Sequence, residues 1–395
     1  MDTQNPVIED AEFAYKATNL VRLNDRGIRN AAAYIHEQIK RESYTPRTWR
    51  THPLHLLPPE PFDSSHTATE KCLNWIFLVS AINFSFWSEC DERTQYAVDW
   101  KDGWKTQKRK TWTGYWSLLA AINRAMDEGI DIINPSFYAS ETQCSDALIK
   151  RIFRPARQSS EDIALLQERI AVMREVGSIL TAKFDGSFLC FIKSWRSRYG
   201  DHASVLDLVR MVTDTFPSFR DEQPFNGRTV RFWKRAQILV AETWAAFYPP
   251  SSNPADHPFF PDGIHQLTMF ADYRVPQILH HLKILDYPPL LAQALKHERY
   301  FPSGCVEEIS IRAASILAVE HVKDAILDLL SASKPDSADA SSDICANGEK
   351  EVVCSVLIDF YLWDLAKWLE QGERGIEGIE TNIMLPAHRT RSIWY

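Results

Sequence analysis

Residues 71–84, KCLNWIFLVSAINF, are apolar on almost every side at helical length. A helix lying on a protein surface keeps a polar face, so one without it must be covered by other elements from several directions. The rest of the chain offers that cover chiefly as further helices. Apolar residues recur at helical spacing over 117–128, 161–184, 203–215, 309–330 and 352–369, and again at Ala236, Leu239, Val240, Thr243 and Phe247. Gly129, Asp185-Gly186 and Phe216-Pro217 stand where three of these helices should stop. Residues 11–41 read as two short helices divided at Asn24-Asp25-Arg26-Gly27.

Strand signals are few. Residues 96–113 predict a small β-hairpin with Lys101-Asp102-Gly103 as a turn and a basic tip at 105–110. Asn226-Gly227 predicts a tight turn before a short strand at 229–232. Residues 45–63 carry prolines at 46, 53, 58, 59 and 61 and read as an extended segment. Residues 249–263 form a second Pro-rich loop. The stretch 331–350, SASKPDSADASSDICANGEK, is small, polar and free of aromatics, the composition of a disordered insertion. No linker splits the apolar pattern and no solenoid period recurs. The expectation is one mainly α domain spanning 1–395, with a small β-hairpin.

Net charge is −8 and the isoelectric point about 5.9, which argues against a general nucleic-acid coating role, since that rests on Lys and Arg neutralising phosphates. The seven cysteines are scattered without a CxxC pair, so neither a disulfide framework nor a zinc knuckle is expected. Reduced thiols fit a cytoplasmic protein, with the nucleus as a further compartment. The N-terminus has no signal-peptide pattern, and no run approaches the ~18 apolar residues of a membrane span. A soluble monomer is expected.

No P-loop, GxGxxG, HExxH, GxSxG or EF-hand pattern occurs. What remains is charge in apolar, aromatic surroundings. Asp272 lies in LTMFADYRVPQIL (267–279), between Phe270 and Tyr273. Proline is tolerated only in the first turn of a helix, so a helix should start just before Pro276, with Asp272 at or near its N-terminus. The helix dipole favours an ionised carboxylate there, and such a group among aromatics suits an oxocarbenium-like transition state. The plainer reading is an N-cap. Lys234, with Arg235 beside it at another helix start, has the charge to hold a phosphate; the alternative is a solvated helix end. Val353, Leu357, Phe360 and Asp364 fall on one helical stripe, so Asp364 occupies a position that should be apolar. A buried carboxylate needs a partner: either a ligand bracketed with Asp359, roughly 140° round the helix, or a structural cation such as Arg312. His52 and His55 lie in the Pro-rich segment, where a lone histidine is more often structural.

Several of these stretches resemble the queuosine salvage protein family: NWIFLVSAINFSFWSE (74–89), TGYWSLLAAINRAMDEGI (113–130), FPSFRDE (216–222), RFWKRAQILVAETW (231–244), LTMFADYRVPQIL (267–279), LIDFYLWDLA (357–366) and the closing RSIWY. The resemblance covers nearly the whole chain. It implies a helical fold with small β additions, similar to the helical DNA glycosylases, and hydrolysis of the N-glycosidic bond of queuosine 5′-monophosphate to queuine and ribose 5-phosphate. It puts the catalytic aspartate of FADYR at Asp272 and an active-site lysine of KRAQ at Lys234. Base recognition falls to Phe270, Asp359, Phe360 and Asp364, and a looser LHxLxP match adds His55. No cofactor, metal, membrane or stable nucleic-acid partner is implied. Departures lie at 100–108, 249–263 and 331–350, and position 360 is Phe where the family leads one to expect Tyr. Two other readings stay open: a glycosylase acting on a modified base within a nucleic acid, and a non-catalytic helical module that binds a base.

Overall fold

The apolar stretch forms the helix Thr67–Ala81, in which every residue from Cys72 to Ala81 is buried. The computed structural model describes residues 5–200, 203–261, 263–332 and 352–395, which are mainly helical with short antiparallel strand pairs. The chain divides into two compact units built from separated stretches. Met1–Pro46, Asp221–Gln237 and Tyr248–Arg391 make the first; Arg47–Arg220, Ile238–Phe247 and Ser392–Tyr395 make the second.

The first unit is built on the helix Val306–Ala332, against which Pro6–Thr18, Asp25–Arg41, Val275–His281 and Ser355–Glu370 pack. Residues 308–319 are buried without a break. Only its far end is one-sided, and there Val322 and Ile326 are buried while Leu329 is exposed. Asn24, expected within a break, starts a helix instead: its side chain accepts the Gly27 N–H at 3.1 Å and caps Asp25–Arg41. Gly27 lets this helix approach the backbone at Lys283, whose carbonyl oxygen would lie 1.8 Å from an added Cβ. The strand expected at 229–232 runs from Arg228 to Arg231 and pairs with Glu222–Phe225. Their turn, Asn226-Gly227, has φ of +46° and +76°, the mirror-image geometry that suits a twisted two-residue hairpin. A further pair joins Arg22–Leu23 to Leu285–Asp286. Ser331 and Ala332 end the Val306–Ala332 helix, and the rest of the expected insertion at 331–350 lies outside the described residues.

In the second unit the predicted hairpin is present as Ala97–Lys101 with Arg109–Thr113. Helix Thr67–Ala81 packs on Leu166–Lys183 and Phe188–Tyr199, and Phe77, Phe188, Phe191, Phe216 and Phe219 cluster with ring centroids 5–6 Å apart. The helix expected from residue 161 begins only at Leu166. Leu165 turns left-handed at φ +54°, and the Glu161 carboxylate is drawn away to accept the Tyr96 N–H at 2.8 Å and the Ser88 hydroxyl at 2.5 Å. The short helices Pro135–Ala139 and Asp146–Ile152, the helix Phe188–Tyr199 and, in the first unit, Pro289–Lys296 had no sequence expectation. The cysteines among the described residues are free thiols.

Candidate active site

In the first unit, residues 266–275 are pinned almost residue by residue. Gln237 pairs with Thr268 in both directions: its amide donates to the Thr268 hydroxyl at 2.9 Å, and its carbonyl accepts the Thr268 N–H at 3.1 Å. Asn5 donates to the Gln266 carbonyl at 3.1 Å. The Phe270 N–H donates to Asp359 Oδ1 at 3.0 Å, and the Ala271 carbonyl accepts from Arg312 Nε at 2.8 Å. Asp272 then donates its N–H back to the Phe270 carbonyl at 2.7 Å, a tight reversal that sends its side chain toward the start of helix Val275–His281. That helix begins one residue before Pro276, as the proline requires.

Asp272 Oδ1 accepts the N–H groups of Arg274 at 2.8 Å and Val275 at 2.9 Å. The carboxylate therefore does cap the helix start, with one oxygen only; no protein hydrogen bond to Oδ2 occurs among the described residues. Burial pushes the Asp272 carboxyl up, opposed by the Lys234 ammonium and by the same two N–H groups. Asp359 is buried, and burial together with the Asp272 charge drives it well above the usual carboxylate range against the Phe270 N–H and Lys234. Lys234 thus acts on both acids. Two amide donors and an ammonium favour charge on Asp272, whereas Asp359 has one amide donor among the described residues and is pushed up further by burial and by the Asp272 charge.

Lys234 begins the helix Lys234–Ala246, and both it and Arg235 are buried, so the solvated-end reading does not hold. The Lys234 N–H is donated to Asp221 Oδ2 at 3.2 Å, so that amide is already spent within the protein. Phe270 and Phe360 are neighbours, with ring centroids 5.9 Å apart at 52°. Asp364 is half-buried and accepts the Tyr44 hydroxyl at 2.6 Å. Burial raises its carboxyl to about 6 although that bond works the other way. Arg312, weighed as its ion-pair partner, is committed to Asp221 and Glu308.

The structure therefore gathers Lys234, Phe270, Asp272, Asp359, Phe360 and Asp364 in one unit. His55 belongs to the other. There it stacks on Trp49 at 4.0 Å and its Nδ1 bonds the Trp49 carbonyl at 2.6 Å, which fixes the proton on Nδ1 and leaves Nε2 as an acceptor. Burial lowers its pKa to about 4, so it is neutral at physiological pH. Its neighbour His52 lies flat on Trp116, 3.6 Å between centroids.

A profile of the family described as Queuosine salvage protein matches residues 63–395. The chain belongs to the queuosine salvage protein family. It is 37% identical over 399 residues to the queuosine 5′-phosphate N-glycosylase/hydrolase of Schizosaccharomyces pombe, covering 98% of this chain and 99% of that one. Against the protein of the same description from Bos taurus it is 36% identical over 391 residues, 98% of each chain. Against that of Sphaerobacter thermophilus it is 34% identical over 366 residues, 93% of this chain and 91% of the relative.

In this queuosine salvage protein, three contributors to the site had gone unassigned by sequence. Tyr44 had no local signal: it is one aromatic at the edge of a Pro-rich segment. Asp221 lies in FPSFRDE, a stretch noted for resemblance alone. Arg312 interrupts the apolar run ISIRAASILAV, and a buried arginine in such a run needs an explanation, though not the one first considered. Among the described residues no group of three or more His, Cys, Asp or Glu could hold a metal ion, and no helix is long and apolar enough to cross a membrane.

Proposed function

We propose that this protein hydrolyses the N-glycosidic bond of queuosine 5′-monophosphate, releasing queuine and ribose 5-phosphate. The observation that carries the reading is Asp272: one carboxylate oxygen is held by a helix start and the other has no hydrogen-bond partner among the described residues, with the buried Lys234 and an acid whose carboxyl is driven well above the usual range acting on it. As the C1′–N9 bond breaks, its electron pair leaves with the base and positive charge grows on the ribose. Asp272 Oδ2 stabilises that charge, either across space or by bonding to C1′. Water supplies the hydroxyl at C1′, and its proton balances the one taken up by the departing base. Queuine is a 7-deazaguanine and lacks the purine N7 that could accept a proton. Asp359, whose carboxyl is driven well above the usual range by burial and by the Asp272 charge, is suited to donate elsewhere on the base. Asp364, ionised above about pH 6, suits the secondary ammonium of the cyclopentenediol arm. Phe270 and Phe360 form flat apolar walls. Lys234 favours the charged form of Asp272.

The substrate is a free mononucleotide in this reading, consistent with the net charge of −8. The chain works as one cytoplasmic, monomeric catalytic domain without a cofactor. Kinship to helical DNA glycosylases fits the helical frame but, as an analogy of fold, carries no weight for the reaction. Incubating the protein with the nucleotide, the nucleoside and queuosine-containing tRNA, and measuring free queuine, separates the readings: release from the nucleotide supports this one, and release from tRNA alone favours a nucleic-acid glycosylase. Asp272→Asn should keep queuine affinity while kcat falls by orders of magnitude. Near wild-type turnover in that variant would remove Asp272 from the mechanism.

A further inference from the structure

Lys234 and Asp272 come from different segments, and one guanidinium ties the two together. Arg312 is fully buried in the helix Val306–Ala332. Its Nη1 and Nη2 donate to the two oxygens of Asp221 at 3.0 and 2.5 Å, and its Nε donates to the Ala271 carbonyl at 2.8 Å, next to Asp272. Its plane lies over the Phe232 ring, 3.9 Å from the centroid. Asp221 in turn holds the turn that delivers Lys234. Its carbonyl accepts the N–H groups of Phe232 at 2.9 Å and Trp233 at 3.2 Å, and its Oδ2 accepts that of Lys234. Trp233 sits at φ +49°, a left-handed conformation that a bulky residue keeps only when its surroundings enforce it. Glu308 completes the group, accepting Arg312 Nη1 at 3.3 Å and the Gly304 N–H at 3.0 Å.

Stability alone is a weak reason for such a cluster, because buried ion pairs can often be replaced by apolar side chains without loss. Its distinctive property is geometric: three directed donors on one rigid plane fix the backbone beside Asp272 relative to the backbone of Lys234. We propose that Arg312, acting through Asp221, is a positioning residue that sets the Asp272 carboxylate and the Lys234 ammonium in register. The proposal rests on the reading of those two as the catalytic pair. Displacing reacting groups by about 1 Å costs about a hundredfold in rate, and lysine keeps the charge of Arg312 but not the planar fork.

The test uses Arg312→Lys, Asp221→Asn and the double variant in the full chain, with kcat and KM for queuosine 5′-monophosphate scaled to the folded fraction. Arg312→Lys should lower kcat about a hundredfold with KM changed less than about threefold, and queuine affinity should stay constant. The double variant should be no slower than the slower single one, as expected of residues acting through one device. A folded Arg312→Lys enzyme with wild-type kcat, equal loss in kcat and queuine binding, or losses that multiply in the double variant would each overturn the proposal. If Arg312→Lys does not fold, Asp221→Asn decides by the same split between kcat and KM. If the wild-type protein releases no queuine, the functional reading fails on its own. The positioning claim is then read from a crystal structure of either variant: backbone at Ala271, Asp272 and Lys234 displaced from the wild type supports it, and superimposable backbone overturns it.

Discussion

Replacing Asp364 by asparagine should stabilise the protein at neutral pH and weaken its hold on queuine. The Asp364 carboxyl titrates near 6 in the folded chain, against an ordinary value of 3.8. Its folded pKa is raised, so between about pH 4 and 6 the native state binds more protons than the unfolded state, and stability falls as pH rises through that window. Above it, the cost of keeping the ionised group in place is complete. At 1.36 kcal/mol per pH unit the cost reaches at most about 3 kcal/mol. Water at this half-buried side chain reduces it, and asparagine retains an acceptor for the Tyr44 hydroxyl but brings an amide donor that needs a partner, so about 1–2 kcal/mol remains. Thermal or urea unfolding of both proteins at pH 8 and pH 4 checks the figure: the variant should be the more stable at pH 8, with most of the difference gone at pH 4. Equal stability at pH 8, or a difference unaffected by pH, would refute the burial argument. Calorimetric titration supplies the functional half. Queuine affinity should drop in the variant, and in the wild type it should weaken as pH falls below about 6 and the carboxylate loses its charge.

Lys234→Met removes the cation that lowers the pKa values of both Asp272 and Asp359. If ionised Asp272 is required for turnover, the acid limb of the kcat–pH profile should move to higher pH, and an unmoved limb would detach Lys234 from Asp272. Gly27→Ala places a Cβ 1.8 Å from the Lys283 carbonyl oxygen. It should destabilise by about 1–3 kcal/mol or more in unfolding experiments, because the clash is with backbone and no rotamer relieves it.

What the sequence made legible follows from which forces act locally. Burial of residues 72–81 and the helix start before Pro276 were readable because all-round apolarity and the proline ring each leave one solution. The Asn226-Gly227 turn was readable for the same reason, but its partner strand Glu222–Phe225 was not, because Pro224 hides it. The helix predicted from 161 starts late because Glu161 is recruited by Tyr96 and Ser88, residues distant in sequence. At the site, Asp364 could be seen to be out of place among apolar neighbours, yet its partner could not be named. Arg312 had the right charge and the right burial, and only three-dimensional packing gives it to Asp221 and gives Tyr44 to Asp364. Local chemistry announces that a buried charge needs company; tertiary structure selects which.

The opposition between a capping aspartate and a catalytic one dissolves once the two oxygens are considered separately. A carboxylate that spends both oxygens on a helix start would be inert, and one that spends neither would be free to rotate. Asp272 spends Oδ1 on two N–H groups, which fixes the plane of the carboxylate and favours its charge, and presents Oδ2. Asp359 is placed the other way, with a single amide donor among the described residues and burial beside the Asp272 charge, which together drive its carboxyl well above the usual range. Asp364 has one neutral hydroxyl donor and lies between these extremes, near pH 6. Three aspartates in one unit thus differ in how far their surroundings favour the protonated form, because their donors and burial differ. That graded set is what a site needs if it is to stabilise a cation at the sugar, donate to the base and receive an ammonium on its arm at a single pH.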